Sequence, residues 1–266
     1  MLDNPRSPKV RAVAKLGKKE RRAEARMFLV EGPQALREAM AYRPELIVDV
    51  FLTQAARDRH TDLVATAEEK SIELTVCTEA VINQMADTVT PRGVVAVCEF
   101  VDATLQKVVD SSPRLIALLH EVKDPGNVGN IIRTADAAGA DAVILTKESV
   151  DVFNPKVVRA TTGSLFHLPV VTGVELEDVV VALKKAGVRV LATDAAGESL
   201  VDIRNAGVLT APTAWLLGNE AHGLSDDDET LADAIVSVPI YGSAESLSLQ
   251  TAAAVCLYES AIAQQA

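Results

Sequence analysis

Aromatic side chains are scarce in this chain: Phe, Tyr and Trp together make up 3% of 266 residues, with a single Trp. A core with so few rings must be filled by Ala, Val, Leu and Ile, which recur in runs of about four to eight residues, the pattern of parallel strands buried on both faces. Few rings also leave little material for a stacking platform that holds single-stranded nucleic acid. Cysteine is equally sparse. Cys77, Cys98 and Cys256 are isolated, odd in number and set among apolar residues, which reads as reduced core thiols in a cytoplasmic protein, not as a disulfide framework. The four histidines are scattered and no Cys/His cluster has metal-ligand spacing, so no metal is expected. No apolar stretch reaches the roughly 18 residues of a membrane span. The opening MLDNPRSPKVRAVAKLGKKE lacks the apolar centre of a secretory signal. Excess positive charge is missing too: the net charge is −11, which argues against a general nucleic-acid binder.

The distribution of charge says more than its sum. Residues 6–26 hold nine Lys/Arg and two acids, a local +7 on a body of −18. Eight of the nine, Arg6, Lys9, Arg11, Lys15, Lys18, Lys19, Arg21 and Arg22, are the candidates for contact with a partner. The block suits an electrostatic handle for a polyanion. Charge alone slightly favours the plainer alternative, a solvated helical face.

Along the chain, short strand and helix patterns alternate. KVRAVAKL and KKERRAEAR read as helices, MFLVEG as a strand, and PQALREAMAY as a helix with Pro33 in its first turn. LIVDVFLT, ELTVC and GVVAVCEF read as strands. ARDRHTDLVATAEEK reads as one helix and TEAVINQMA as a short one capped by Thr78. Residues 1–102 are thus a small α/β domain, 103–113 a linker ending in Ser111-Ser112-Pro113, and 114–266 a second domain. In the second domain LIALLHEV, DAVILT, VRVLATDA, TAWLLGNE and AIVSVPI are strands, separated by helical patterns such as ELEDVVVALKKAG, which stops at Gly187. The rhythm predicts a mostly parallel sheet with helices on both faces, and ligands in such sheets sit at the carboxyl ends of the strands.

Three polar stretches follow strands. In DPGNVGNIIRTADAAG a helix start with small residues can present free N–H groups to a ligand. Taken alone, Asn127 reads as an N-cap and Arg133 as an ion-pair residue. It is neither G-x-G-x-x-G nor a phosphate loop, which makes a nucleotide-dependent oxidoreductase improbable. In WLLGNEAHGL, Gly223 allows a turn of positive φ, and Glu220 by itself reads as a loop cap. In VPIYGSAESLSLQTAAAV, Ser246 or Ser248 can cap the last helix, with Leu249, Ala253 and Cys256 on one face.

Together the three stretches resemble the motifs of the SpoU (TrmH-like) branch of the SPOUT RNA methyltransferases. Asn127, Gly129, Arg133, Thr134 and Ala135 match the first motif, Gly218, Glu220 and Gly223 the second, and Pro239, Gly242, Ser246 and Leu247 the third. RATTGSLFHLPV resembles the family's connecting segment, and the N-terminal part is similar to its small substrate-binding domain. Ser248 stands where the family pattern has Asn.

The resemblance implies a C-terminal trefoil knot, a homodimer packed through it, and S-adenosylmethionine as cofactor. By position it assigns the cofactor contacts to Gly218, Val238 and Leu247, with Thr193, Leu217, Asn219 and Ile240 beside them. It implies methyl transfer to a ribose 2′-hydroxyl of RNA, with ribosomal RNA favoured over tRNA by analogy. Arg133 is the implied catalytic centre, supported by Asn127, Glu220 and Ser246. An arginine base near neutral pH would require its pKa to fall by roughly five units, about 7 kcal/mol, so orientation of the ribose is the easier role. The alternatives are a tRNA ribose or RNA base methyltransferase, and a non-catalytic RNA-binding protein of the same fold, for which Ser248 is the only sequence support. The basic block would bring RNA, and deletion of residues 1–100 would remove RNA affinity.

Overall fold

The basic segment folds as two helices, α1 (Pro8–Lys15) and α2 (Lys19–Ala25). Ser7 starts α1 by accepting from the Val10 N–H at 3.3 Å, with Pro8 at the first helical position. Val10, Val13 and Leu16 are buried against Leu29, Phe51, Ile82 and Met85, so the charged face turns outward. In this computed structural model, which describes residues 1–101 and 103–265, the chain divides into two compact units. The first takes Met1–Val101 together with Asp151–His167, and the second takes the rest. The first holds 17 Lys/Arg against 16 Asp/Glu, and the second 9 against 21.

The first unit continues through β1 (Met27–Glu31), α3 (Pro33–Tyr42), β2 (Ile47–Thr53), α4 (Gln54–Arg59), α5 (Thr61–Glu69), β3 (Leu74–Cys77), α6 (Glu79–Met85) and β4 (Val94–Glu99). Its sheet has the order β1-β4-β2-β3, with β4 antiparallel to both neighbours and β2 parallel to β3. The single helix expected from ARDRHTDLVATAEEK is broken at His60, where Thr53 caps the first piece through the Ala56 N–H. Thr78 stands at the start of α6, but its buried hydroxyl engages no partner among the described residues, so it is not a side-chain cap.

The second unit begins with α7 (Leu105–Asp110), inside the segment expected as a linker. Val108 of α7 is buried in this unit's core, which is why the segment folds instead of remaining a tether. There follow β5 (Leu115–Leu119), α8 (Pro125–Ala137) and β6 (Ala142–Thr146). The chain then makes α9 (Pro155–Thr161) in the first unit and returns through β7 (Val170–Val174), α10 (Leu176–Lys185), β8 (Arg189–Ser199), α11 (Leu200–Asn205), β9 (Thr213–Leu217), α12 (Asp226–Thr230), β10 (Ala234–Ser237) and α13 (Leu249–Gln265). All six strands are parallel, in the order β10-β8-β9-β5-β6-β7. β5, β6 and β9 are buried at every residue, as two-sided parallel strands must be.

The excursion at 151–167 is held by rings and ions. The Phe153 ring stacks on Phe100 at 3.8 Å and lies 4.9 Å from Phe28, with Phe166 6.1 Å from Phe28. Arg22 donates to Asp151 through Nη2 at 2.6 Å and Nε at 3.0 Å, and to the Leu16 carbonyl at 2.9 Å. It is 2% exposed. Arg22 is therefore corrected from an RNA contact to a buried ion-pair residue. Lys9 and Arg21 are exposed but pair with Asp49 and Glu24, whereas Arg6, Arg11, Lys15, Lys18 and Lys19 face solvent.

The single Trp is fully buried in β9, and its Nε1–H donates to Ser260 Oγ of α13 at 2.9 Å. Ser260→Ala leaves that indole N–H without its acceptor at a fully buried position. The expected loss is about 1–3 kcal/mol of stability, read as a lowered urea midpoint with the slope unchanged, followed by Trp fluorescence. Burial pushes the Cys77 thiol up to about 11 and those of Cys98 and Cys256 up to about 12, as for core thiols. Among the described residues no helix is long and apolar enough to cross a membrane.

Candidate active site

From β5 the chain builds outward to β6 and β7, then crosses over to β8 and fills the gap with β9. The carboxyl ends of β5 and β9 thus form the topological switch point, where a parallel sheet opens a crevice. The His120 N–H donates to the Leu217 carbonyl at 2.8 Å and carries the pairing to the crevice floor.

Two loops interlock there. Asn219 and Gly223 exchange backbone hydrogen bonds at 3.1 and 2.9 Å, closing a tight loop with Gly223 at φ 69°. A Cβ on Gly218 would stand 2.5 Å from the Gly223 carbonyl carbon, so the loop folds back too closely for any side chain. Asn219 is nearly buried. Its amide donates to the Glu121 carbonyl at 2.8 Å and its oxygen accepts from the Ala221 N–H at 2.8 Å. Both ends of its side chain and both of its backbone polar groups therefore serve the loop, so its first role is to hold the loop's shape.

Glu220 completes the interlock. Its carboxylate accepts from the Asp124 N–H at 2.9 Å, the Lys123 N–H at 3.1 Å and the Asn127 Nδ2 at 3.2 Å. Burial raises the carboxyl pKa, but the backbone donors, Asp124 first, and the Asn127 amide outweigh it and hold the group below the ordinary carboxylate range. Asn127 is not the cap of α8. Asp124 is, accepting from the Asn127 N–H at 2.8 Å, with Pro125 in the first turn. The pair Asp124-Pro125 before a helical pattern is a start signal that would have located the cap.

Val128, Ile131, Ile132 and Ala135 bury one face of α8. Arg133 lies on the other face, exposed and with no side-chain partner among the described residues. It follows Asn127 by six residues, about 9 Å along the helix axis. Asn130 donates to Gln250 at 2.5 Å and ties α8 to α13. Ser248 is the residue before α13. Its carbonyl accepts from Thr251 and Ala252, and its hydroxyl lies 2.7 Å from Thr251 Oγ1. Ser246 is exposed, and the described hydrogen bonds do not join it to Arg133 or to the Asn127–Glu220 pair.

The remaining cofactor candidates flank this crevice. Thr193 donates to the Leu216 carbonyl at 3.3 Å and sits where β8 leaves its register with β10. Leu217 is buried as the last residue of β9. Residues 238–247 make no backbone hydrogen bond among the described residues. In the same run Val238 and Leu247 are half-buried and Ile240 is exposed. Free amide and carbonyl groups beside apolar side chains suit a ligand held by backbone polar groups against an apolar surface. A cavity of about 410 Å³ opens beside His120, Thr146 and Asp228, and its lining includes Asn219 and Gly223 of the loop after β9 but none of Thr193, Val238 or Leu247. Among the described residues no group of three or more His, Cys, Asp or Glu could hold a metal.

Comparison with known proteins gives these loops a family. Residues 114–258 match the SpoU rRNA Methylase family, and residues 29–103 match the RNA 2′-O ribose methyltransferase substrate binding family. The 23S rRNA (guanosine(2553)-2′-O)-methyltransferase RlmP of Bacillus subtilis is 33% identical over 97% of this chain and 97% of its own. The 23S rRNA (uridine(2479)-2′-O)-methyltransferase of Streptomyces viridochromogenes is 35% identical over 92% of this chain and 86% of its own. The crystal structure of an AdoMet-bound rRNA methyltransferase from Sinorhizobium meliloti superposes with a TM-score of 0.84 at 32% identity, covering 97% of this chain and 96% of the other. The parallel sheet with its interlocked loops is thus the SPOUT α/β fold, and the chain belongs to the SpoU family of RNA methyltransferases.

Proposed function

We propose that this protein transfers a methyl group from S-adenosylmethionine to a ribose 2′-hydroxyl of 23S ribosomal RNA. The observation that carries the reading is the Glu220 interlock: one carboxylate fixes the start of α8 to the loop after β9, joining the first two family motifs at the crevice. The two relatives above modify a guanosine and a uridine at similar identity to this chain, so the base is not part of the proposal. When bound, the cofactor supplies a methyl group already activated on a sulfonium. Gly218, Val238, Ile240 and Leu247, with Thr193 and Leu217, are the residues that would hold it.

Arg133 is proposed to grip the phosphate and ribose next to the target and aim its 2′-oxygen. Its solvent-facing position without an internal partner leaves the guanidinium available for an anion. Asn127 and Glu220 position the helix that carries it, and Ser246 belongs to the 238–247 run proposed to hold the cofactor. The exposed cations Arg6, Lys9, Arg11, Lys15, Lys18, Lys19 and Arg21 supply salt-dependent RNA attraction. We further propose a homodimer through a trefoil-knotted second unit, in the cytoplasm. Ile240, Tyr241, Tyr258 and Ile262 are exposed apolar side chains near the end of this unit, the kind of surface a second copy covers.

The test is methylation of 23S rRNA with labelled cofactor, followed by nuclease digestion. Label in a nuclease-resistant dinucleotide marks ribose methylation, and label on a base refutes it. Calorimetry with S-adenosylmethionine that gives no heat would favour a binding protein without catalysis. Light scattering at twice the chain mass supports the dimer.

A further inference from the structure

The first unit carries a cavity of about 700 Å³ at the end of its sheet where β1, β2 and β3 finish and β4 begins. This is within the range of pockets that take a small organic molecule, about 300–1,000 Å³. Two of its lining residues, Arg59 and Arg92, engage no side-chain partner among the described residues, and Glu79 is the one acid on its lining. Pro33, Ile82 and Pro91 give it apolar walls, and Asn83 adds an amide able both to donate and to accept. Arg92 also borders an adjoining cavity of about 380 Å³ that includes Gly32, Gln34 and Arg159, so the concavity extends as a groove. Val89, also on its lining, is 97% exposed.

The loop that carries Arg92 is held in place. The Thr53 N–H donates to the Gly93 carbonyl at 2.9 Å, and a Cβ on Gly93, at φ 76°, would stand 2.8 Å from Thr53 Oγ1. His60 also lines the cavity. Arg37 donates to its Nδ1 at 3.3 Å, and a guanidinium cannot accept, which assigns the ring proton to Nε2. Burial first, and Arg37 second, lower the His60 pKa, so the ring is neutral at pH 7 and keeps one N–H to donate.

We propose that this cleft seats one unstacked nucleotide of the RNA substrate, with the adjoining phosphates on Arg59 and Arg92. The inference rests on the reading of the chain as an RNA methyltransferase and adds a second RNA contact, separate from the helices α1 and α2. Apolar walls suit the face of a base, while Asn83 and the His60 N–H suit its edge. Unpaired arginines suit phosphates, and sequence-specific RNA recognition works on unstacked nucleotides. This gives the first unit a means of choosing its RNA that salt-dependent attraction lacks.

The experiment measures binding of full-length protein to 23S rRNA and to an unrelated RNA of equal length, across a salt series. Arg59→Gln and Arg92→Gln should each weaken 23S rRNA binding about tenfold and reduce the salt slope by about one. Asn83→Trp fills the cleft without changing charge and should erode the preference for 23S rRNA over the unrelated RNA. S-adenosylmethionine binding and the melting temperature should stay at wild-type values in all three. The proposal is overturned if the arginine variants bind as wild type, or if Asn83→Trp keeps full discrimination. Failure of the methyltransferase reading looks different: the wild type would then methylate no RNA.

Discussion

Arg133→Ala should lower methyl transfer to RNA on the order of 10³-fold while leaving S-adenosylmethionine affinity within about twofold of wild type. The split follows from position. Arg133 lies on the exposed face of α8, whereas the proposed cofactor residues lie in β8, at the end of β9 and in the loop after it, and on the run from 238 to 247. Removing its side chain takes nothing from the core, since Val128, Ile131, Ile132 and Ala135 bury the opposite face. Lysine at 133 keeps the charge and loses the planar fork. If the role is bidentate aim at a phosphate and ribose, Arg133→Lys should restore less than a tenth of the lost rate. If the role were only long-range attraction, lysine would restore most of it and the defect would vanish at saturating RNA. Single-turnover rates at saturating RNA, with calorimetry of cofactor binding on the same preparations, decide this. Near-normal turnover of Arg133→Ala would end the assignment.

Much of this site is legible in the sequence because it is built from local signals. Gly218 and Gly223 are needed where the loop doubles back on itself, and the motif residues Asn127 and Glu220, 93 positions apart, hydrogen-bond to each other. The errors concern partners that no local pattern names. Arg22 looks like its basic neighbours, yet Asp151, 129 positions away, draws it into the interior. TLQKVVD reads as a linker because its polar residues outnumber its apolar ones, but one buried valine gives it a packing site. The run from 151 to 167 shows apolar residues without saying which core they enter, and Phe153 and Phe166 enter the first unit. Deletion of residues 1–100 would strip those rings of their partners, so loss of RNA binding in that truncation would not report on the basic block alone. Charge reversal at Arg11, Lys15 and Lys18, which are exposed and outside the core, is the cleaner measurement.

Glu220→Ala should lower kcat/KM on the order of 10²-fold, the scale expected when a reacting group is misplaced by about 1 Å. One carboxylate here satisfies the Lys123 and Asp124 N–H groups and the Asn127 amide, and nothing else described in the crevice holds the start of α8 to the loop after β9 as tightly. Glu220→Gln separates charge from shape. The glutamine keeps one acceptor oxygen but turns an NH₂ toward donors, so it should recover only part of the loss. Acid dependence gives a second, independent reading. A carboxylate whose folded pKa is lowered contributes stability at every pH above its unfolded value, and that contribution is lost as the pH falls through the lowered folded value. Glu220 is such a group, so the interlock stays closed through mildly acidic pH and opens only below the ordinary carboxylate range. In the wild type, exchange of the Lys123 and Asp124 amides should therefore remain protected down to about pH 4. In Glu220→Gln, protection of the same two amides should be weaker and independent of pH after correction for intrinsic exchange. Equal protection in the two proteins would show that the backbone of the loops, and not the carboxylate, holds the crevice together.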